Sequence, residues 1–185
     1  NDLGEIDNMA YLLKYDTVYG KWDHDIKVEG DVVSVDGKKV KVLAEKDPGK
    51  LPWGDLGVDV VVESTGFFTS YDKAKAHMDA GAKKVVISAP AKGDGGGVAG
   101  ETILLGVNEE KFGTCDISSN ASCTTNAASP LIAILDEALG IEKAALNTIH
   151  GYTGSQALVD GPHKKNHREG RAAAQNIIPT STGAA

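Results

Sequence analysis

Residues 58–88, VDVVVESTGFFTSYDKAKAHMDAGAKKVVIS, decide the fold. Val58-Asp59-Val60-Val61-Val62-Glu63 is nearly continuous in β-branched residues, as a buried strand should be, and it ends at Ser64-Thr65-Gly66. Thr69 stands three residues before Asp72, a capping-box spacing with Asp in place of Glu or Gln, and predicts a helix to about Ala80 that Gly81 closes. Lys84-Val85-Val86-Ile87-Ser88 then reads as a second buried strand. Strand, helix and strand within about thirty residues make a βαβ unit, whose right-handed crossover implies a parallel sheet.

The flanks extend this pattern. Ile6, Met9, Ala10 and Leu13 share one helical face and predict a short helix over Glu5–Tyr15. From Ile26 to Leu43 the pattern alternates, and Asp36-Gly37 between Val32–Val35 and Lys38–Val42 predicts a hairpin. Downstream, Thr102–Val107 and Asp116–Ser118 predict strands, an apolar helical pattern runs from Cys123 to Gly140, and Lys143–His150 reads as a further strand. Gly95–Gly100 satisfies G-x-G-x-x-G in letters, but a strand rather than a helix follows it, so it reads as a flexible loop.

Composition bounds the function. With 185 residues, 41% apolar and 24% charged, the chain has the make-up of a soluble globular protein. No apolar stretch approaches the roughly 18 residues of a membrane span, and the start does not resemble a signal peptide, so a cytoplasmic location with no membrane partner is expected. Two cysteines, Cys115 and Cys123, are too few for a disulfide framework. A net charge of −7 argues against a broad nucleic-acid surface. The basic run His163–Arg171 lacks interleaved aromatics and the Glu of H-E-x-x-H, so it reads as a solvated or subunit-facing loop rather than a nucleic-acid or metal site. The chain opens on Asn1 and stops at Ala185 without a polar tail, which reads as an internal segment of a longer protein.

Cys123 carries the chemistry. It stands in Ser118-Ser119-Asn120-Ala121-Ser122-Cys123-Thr124-Thr125-Asn126, where a strand gives way to a helix. There unpaired N–H groups and the positive helix end favour a thiolate and provide an anion site. A lone cysteine at such a place reads more readily as a buried structural thiol. His150, at the end of the following strand, changes that balance: thiol and imidazole meeting across a sheet make an activated nucleophile. Thr153, Thr182 and Gly183 add anion donors. Asp2 fits the acidic residue that binds an adenosine ribose about twenty residues past a glycine fingerprint, which would then precede Asn1.

Ser118–Asn126, Asn147–Gln156 and Gly170–Ala185 closely resemble signature segments of the glyceraldehyde-3-phosphate dehydrogenase family. So do Asp47-Pro48, Glu63-Ser64-Thr65-Gly66 and Ser88-Ala89-Pro90-Ala91-Lys92, and the likeness spans essentially the whole chain. It implies an α/β fold: a Rossmann-like, mostly parallel sheet over 1–121, lacking its first strand and glycine loop, then the start of an α+β catalytic domain over 122–185. The implied reaction converts glyceraldehyde 3-phosphate, NAD and inorganic phosphate to an acyl phosphate and NADH through a thioester on Cys123, with His150 as base. The rivals are an erythrose 4-phosphate dehydrogenase and an inert fragment. By the same resemblance Asp2 binds the adenosine ribose, Lys46 the adenine region and Ser88 the nicotinamide end, and Thr65 and Gly66 line the adenine pocket. Ser122, Thr124, Thr182 and Gly183 hold inorganic phosphate, Thr153 contacts the substrate phosphate, and the complete protein forms a homotetramer. Asp2-Leu3 favours NAD over NADP, because a carboxylate repels a 2′-phosphate. Two departures stand out: Ala127 where many relatives carry a second cysteine, and Ser155 where an Asp is common.

Overall fold

The structure, a computed structural model, describes residues 1–91, 97–164 and 166–184. Lys92, Gly95, Gly96, Lys165 and Ala185, all in segments discussed above, lie outside those residues. The chain divides into two units, Asn1–Asp59 with Ala76–Ala82, and Val60–Lys75 with Lys83–Ala185.

The first unit begins with α1 (Ile6–Lys14) and a short antiparallel ribbon of β1 (Tyr15–Asp16) and β2 (Gly20–Lys21). On α1, Ala10 is buried and Ile6 and Met9 are half-buried, but Leu13 is 47% exposed, so the apolar face is narrower than its period implies. An antiparallel sheet follows in the order β3 (Ile26–Glu29), β4 (Val32–Val35), β5 (Lys38–Lys41). Val35 pairs with Lys38 across Asp36-Gly37, whose φ values of 48° and 80° are the left-handed pair that a type I′ turn demands.

In the second unit β6 (Val60–Glu63) runs into α2 (Tyr71–Asp79), whose residues through Lys75 belong here, and the chain returns in β7 (Lys84–Ile87). Val60 pairs with Lys84 and Glu63 with Ile87 in parallel register, which is the predicted βαβ unit. α2 starts at Tyr71, so Ser70 rather than Thr69 precedes it. With β8 (Gly100–Thr102) and β9 (Ile117–Ser119) the sheet has the order β6-β7-β9-β8, parallel throughout. Val85, Ile87, Ile117 and Ser119 form its innermost layer. α3 (Cys123–Leu139) closes at Gly140, as expected.

Three strand expectations change. The segment expected as a strand over 102–107 contributes only Thr102, because the chain turns at Leu104–Val107. Val60 and Val62 are 51% and 64% exposed while Val61 and Glu63 are buried: β6 is an edge strand covered on one face, not two. Residues 143–150 form no strand, since no neighbouring strand among the described residues offers a ladder to them.

Gly81, in the first unit, has φ +106°, and a Cβ there would lie 2.5 Å from the Gly54 nitrogen. Gly81→Ala therefore combines an unfavourable backbone with a clash, and is expected to lower unfolding free energy by at least ~2 kcal/mol. Gly57→Ala (φ +63°), with no atom within 4 Å, carries only the backbone cost. Urea midpoints of the two variants, compared side by side, check this.

Candidate active site

Parallel strands bring their carboxyl ends to one edge, and the loops after Glu63, Ile87 and Ser119 gather there. The turn from β9 into α3 is tightly built. Ala121 has φ +59°, a left-handed conformation costing ~1 kcal/mol or more for a residue with a Cβ. Ser122 caps α3, its hydroxyl oxygen accepting from the Thr125 N–H at 3.0 Å and lying 2.7 Å from Thr125 Oγ1. The Asn126 amide donates back to the carbonyls of Asn120 (2.7 Å) and Ser122 (2.9 Å). Cys123 is thereby the first helical residue, solvent-exposed, where the free N–H groups of the helix point outward.

His150 Nε2 lies 3.2 Å from Cys123 Sγ. Its Nδ1–H donates to the Gly151 carbonyl at 2.7 Å, because a carbonyl can only accept. In the neutral ring the proton is therefore on Nδ1, leaving Nε2 free to take the thiol proton. The two groups shift each other accordingly. The His150 hydrogen bond holds the Cys123 thiol below its ordinary value; burial, the next effect in size, opposes it, and the Thr124 N–H adds to the lowering. The Gly151 carbonyl first, and Cys123 second, push the His150 imidazole up. The pairing expected between a helix start and a later segment is present, although His150 arrives on an extended, exposed stretch instead of a sheet strand.

The remaining candidate residues fall into local groups. In the first unit the Asp2 N–H donates to the Leu43 carbonyl (2.9 Å), and Asn1 brackets Glu45 with bonds of 2.9 and 3.0 Å, so Asp2 runs beside the segment that ends at exposed Lys46. In the second unit the Thr65 N–H and hydroxyl both bond buried Glu63, and the Ser88 hydroxyl donates to Ser64 Oγ at 3.0 Å, joining the loops after β6 and β7. Gly66 has φ +75° with open space where a Cβ would be. Thr124, next to Cys123 in the chain, is buried. Thr153 bonds within its own loop, to Ser155 and Gln156, and the Thr182 hydroxyl accepts from Ala184 N–H. Gly183 packs against Pro90, in the same loop as Ser88. The basic run folds on itself: His163 faces Glu169 at 3.8 Å, and its Nδ1 accepts from the Asn166 N–H.

Two contributors escape sequence reasoning. The Gly151 carbonyl that sets the His150 tautomer is a backbone group, and nothing in the letter Gly signals it. Ser119 lies within a quoted motif, but its role is tertiary: its hydroxyl bonds three backbone groups from two loops.

Comparison with known proteins places this geometry in a family. Residues 1–71 match the family model described as the glyceraldehyde 3-phosphate dehydrogenase NAD binding domain, and residues 122–185 match that of the C-terminal domain. The chain is 55% identical over 188 residues to glyceraldehyde-3-phosphate dehydrogenase of Mycobacterium tuberculosis, covering 100% of this chain and 54% of the relative. It is 50% identical over 187 residues to glyceraldehyde-3-phosphate dehydrogenase 1 of Bacillus subtilis (100% and 54%). It is 49% identical over 181 residues to glyceraldehyde-3-phosphate dehydrogenase B of Aspergillus oryzae (98% and 52%). The chain thus spans about half the length of the curated relatives it matches. With two successive domain models of one family, relatives near half identity along the whole chain, and a thiol and imidazole in contact at a helix start, this chain belongs to the glyceraldehyde-3-phosphate dehydrogenase family.

Proposed function

We propose that the full-length protein carrying this chain oxidises glyceraldehyde 3-phosphate to 1,3-bisphosphoglycerate, using NAD and inorganic phosphate, through a thioester on Cys123. The observation that carries this reading is the 3.2 Å contact between Cys123 Sγ and His150 Nε2 at the exposed N-terminus of α3. Residues 1–121 serve as the NAD-binding part and 122–185 as the opening of the catalytic part.

The chemistry follows from the two side chains. Hydride leaves readily only from a tetrahedral carbon that bears an oxyanion or a hydroxyl being deprotonated. The Cys123 thiolate forms the C–S bond to the aldehyde carbon, and the carbonyl π electrons move to oxygen. The Cys123 N–H and the protonated His150 Nε2 stabilise that oxygen, and Nε2 donates its proton to it. His150, neutral again, then takes the hydroxyl proton as the C–H electron pair departs and C=O reforms, leaving a thioester. When bound, NAD supplies the acceptor for that hydride. A phosphate oxygen attacks the thioester carbonyl, the C–S bond breaks, and the thiolate leaves with its electrons.

Two anions must be held beside one thiol, and the residues available fit them. Ser122 and Thr124 flank Cys123 at the helix start, where N–H groups favour anions, and Gly183 lies against the Pro90 loop with Thr182 beside it. Thr153 takes the substrate phosphate. In the second unit the carboxyl edge of the parallel sheet suits NAD, with Thr65 and Gly66 for adenine and Ser88 for nicotinamide. In the first unit Asp2 and Lys46 keep the ribose and adenine roles that the family resemblance implies. Free Cys115 and Cys123 support a reducing, cytoplasmic setting, and assembly as a homotetramer accords with the family.

The test is a pre-steady-state assay of the full-length protein. With glyceraldehyde 3-phosphate and NAD but no phosphate, NADH should rise by about one equivalent per Cys123 and stop; added phosphate should start continuous turnover. Steady turnover without phosphate, or no NADH at all, overturns the reading.

A further inference from the structure

Ser119 is the last residue of β9, is 0% exposed, and lies four residues before the nucleophile. Its hydroxyl is fully used by backbone. It donates to the Ala89 carbonyl at 2.7 Å and accepts from the N–H groups of Ala91 and Ala121, both at 3.1 Å. Ala89 and Ala91 belong to the loop that begins at Ser88, and Ala121 is the left-handed residue of the turn into α3. One hydroxyl therefore joins two loops that the parallel sheet brings to the same edge, and an apolar side chain of the same size could make none of these bonds. Asn120 N–H, bonded to the Ile87 carbonyl at 3.0 Å, adds a second stitch but reaches only the end of β7, not the loop beyond.

We propose that Ser119 is a positioning residue for the reaction: it fixes the turn that presents Cys123 relative to the Ser88–Ala91 loop. The inference rests on the function proposed above, in which Ser88 faces the nicotinamide end and the carbon on Cys123 loses hydride in that direction. Loosening the tie lets the reacting carbon wander relative to the Ser88–Ala91 loop, and a misplacement on the order of 1 Å costs about 100-fold in rate.

The experiment compares wild type, Ser119→Ala and Ser119→Ala/Ala121→Gly in the full-length protein. Glycine adopts φ +59° without penalty, so the double variant reaches the turn without the Ser119 hydroxyl and keeps the test open if the single variant folds poorly. Two readouts are taken: the NADH burst with substrate concentration varied, and the pH profile of iodoacetamide alkylation at Cys123, read by peptide mass spectrometry. The burst rate is expected to fall between about 10- and 100-fold in both variants while KM stays within about twofold. The alkylation profile is expected to move alkaline in Ser119→Ala, as Cys123 and His150 lose register. A folded Ser119→Ala protein with wild-type burst and profile overturns the proposal and leaves a purely structural serine. Full recovery of the burst rate in the double variant overturns the tie to the Ser88–Ala91 loop. Alkylation needs no substrate, so a wild type that forms no NADH defeats the reaction assigned above while the alkylation profiles still judge Ser119.

Discussion

Cys123→Ser in the full-length protein is expected to abolish NADH formation, burst included, with a loss of more than ~10⁴-fold, the scale seen when a covalent enzyme loses its nucleophile. A serine hydroxyl at this position cannot be ionised by an imidazole that ordinarily titrates near neutrality, and an oxygen ester would hold the acyl group less activated toward phosphate than a thioester does. The fold should not notice. Cys123 is exposed at the first position of α3, Ser122 and not Cys123 makes the capping bond, and a surface change of this kind falls within ~0.5 kcal/mol. Loss of activity with an unchanged urea midpoint is thus the expected pair of results. Cys115, half-buried and before β9 rather than at the α3 start, provides the control: Cys115→Ser should retain the burst. Substantial NADH formation by Cys123→Ser would refute thioester chemistry at this residue.

Sequence patterns carried the parts of this fold that depend on near neighbours. Asp36-Gly37 announces its hairpin because only a few residues accept two left-handed conformations in succession. The 58–88 segment shows its βαβ order because one strand, one helix and one strand each have their own period, and Gly81 and Gly140 end their helices where glycine belongs. What fails is whatever needs a distant partner. Lys143–His150 has the letters of a strand, but a strand exists only against another, and none among the described residues lies alongside it. Val60 and Val62 have β-branched side chains suited to burial, yet whether a sheet face is covered is decided elsewhere in the protein. The apolar residues of α3 make the same point: Leu131, Ile134 and Leu139 are 59%, 63% and 81% exposed.

The site divides the same way. Cys123 at a helix start is legible, because a Ser-Cys-Thr-Thr run before an apolar helical pattern marks the cap, whereas the run alone suggests a buried thiol and its exposure is a property of the fold. His150 is legible only as a partner for it, and the contact that makes it a base is tertiary. Ser119 is illegible: a serine at the end of a strand has many uses, and its three backbone partners are known only once β7 and β9 lie side by side.

His150→Asn separates two contributions to the reactivity of Cys123. The thiol is held low first by the His150 hydrogen bond and then by the Thr124 N–H at the helix start, and the imidazole is held high by Gly151 and Cys123. The sign follows directly. Lowering the thiol and raising the imidazole both favour thiolate and imidazolium, so the Cys123 thiolate persists to lower pH than that of a free thiol. Wild-type Cys123 should therefore alkylate fast at pH values where a free thiol, with its value of about 8.5, is mostly protonated. Asparagine can accept or donate a hydrogen bond but cannot carry the proton, so the alkylation profile should move alkaline toward the free-thiol value. The rate ratio of wild type to variant should be greatest below the free-thiol value of about 8.5 and shrink above pH ~9, where both thiols are ionised. Turnover should fall by about 10²–10⁴-fold, since the same substitution removes the base that takes the hydroxyl proton. An unmoved alkylation profile would assign the low thiol value to the helix terminus alone, and a variant that turned over at near the wild-type rate would remove His150 from the role of base.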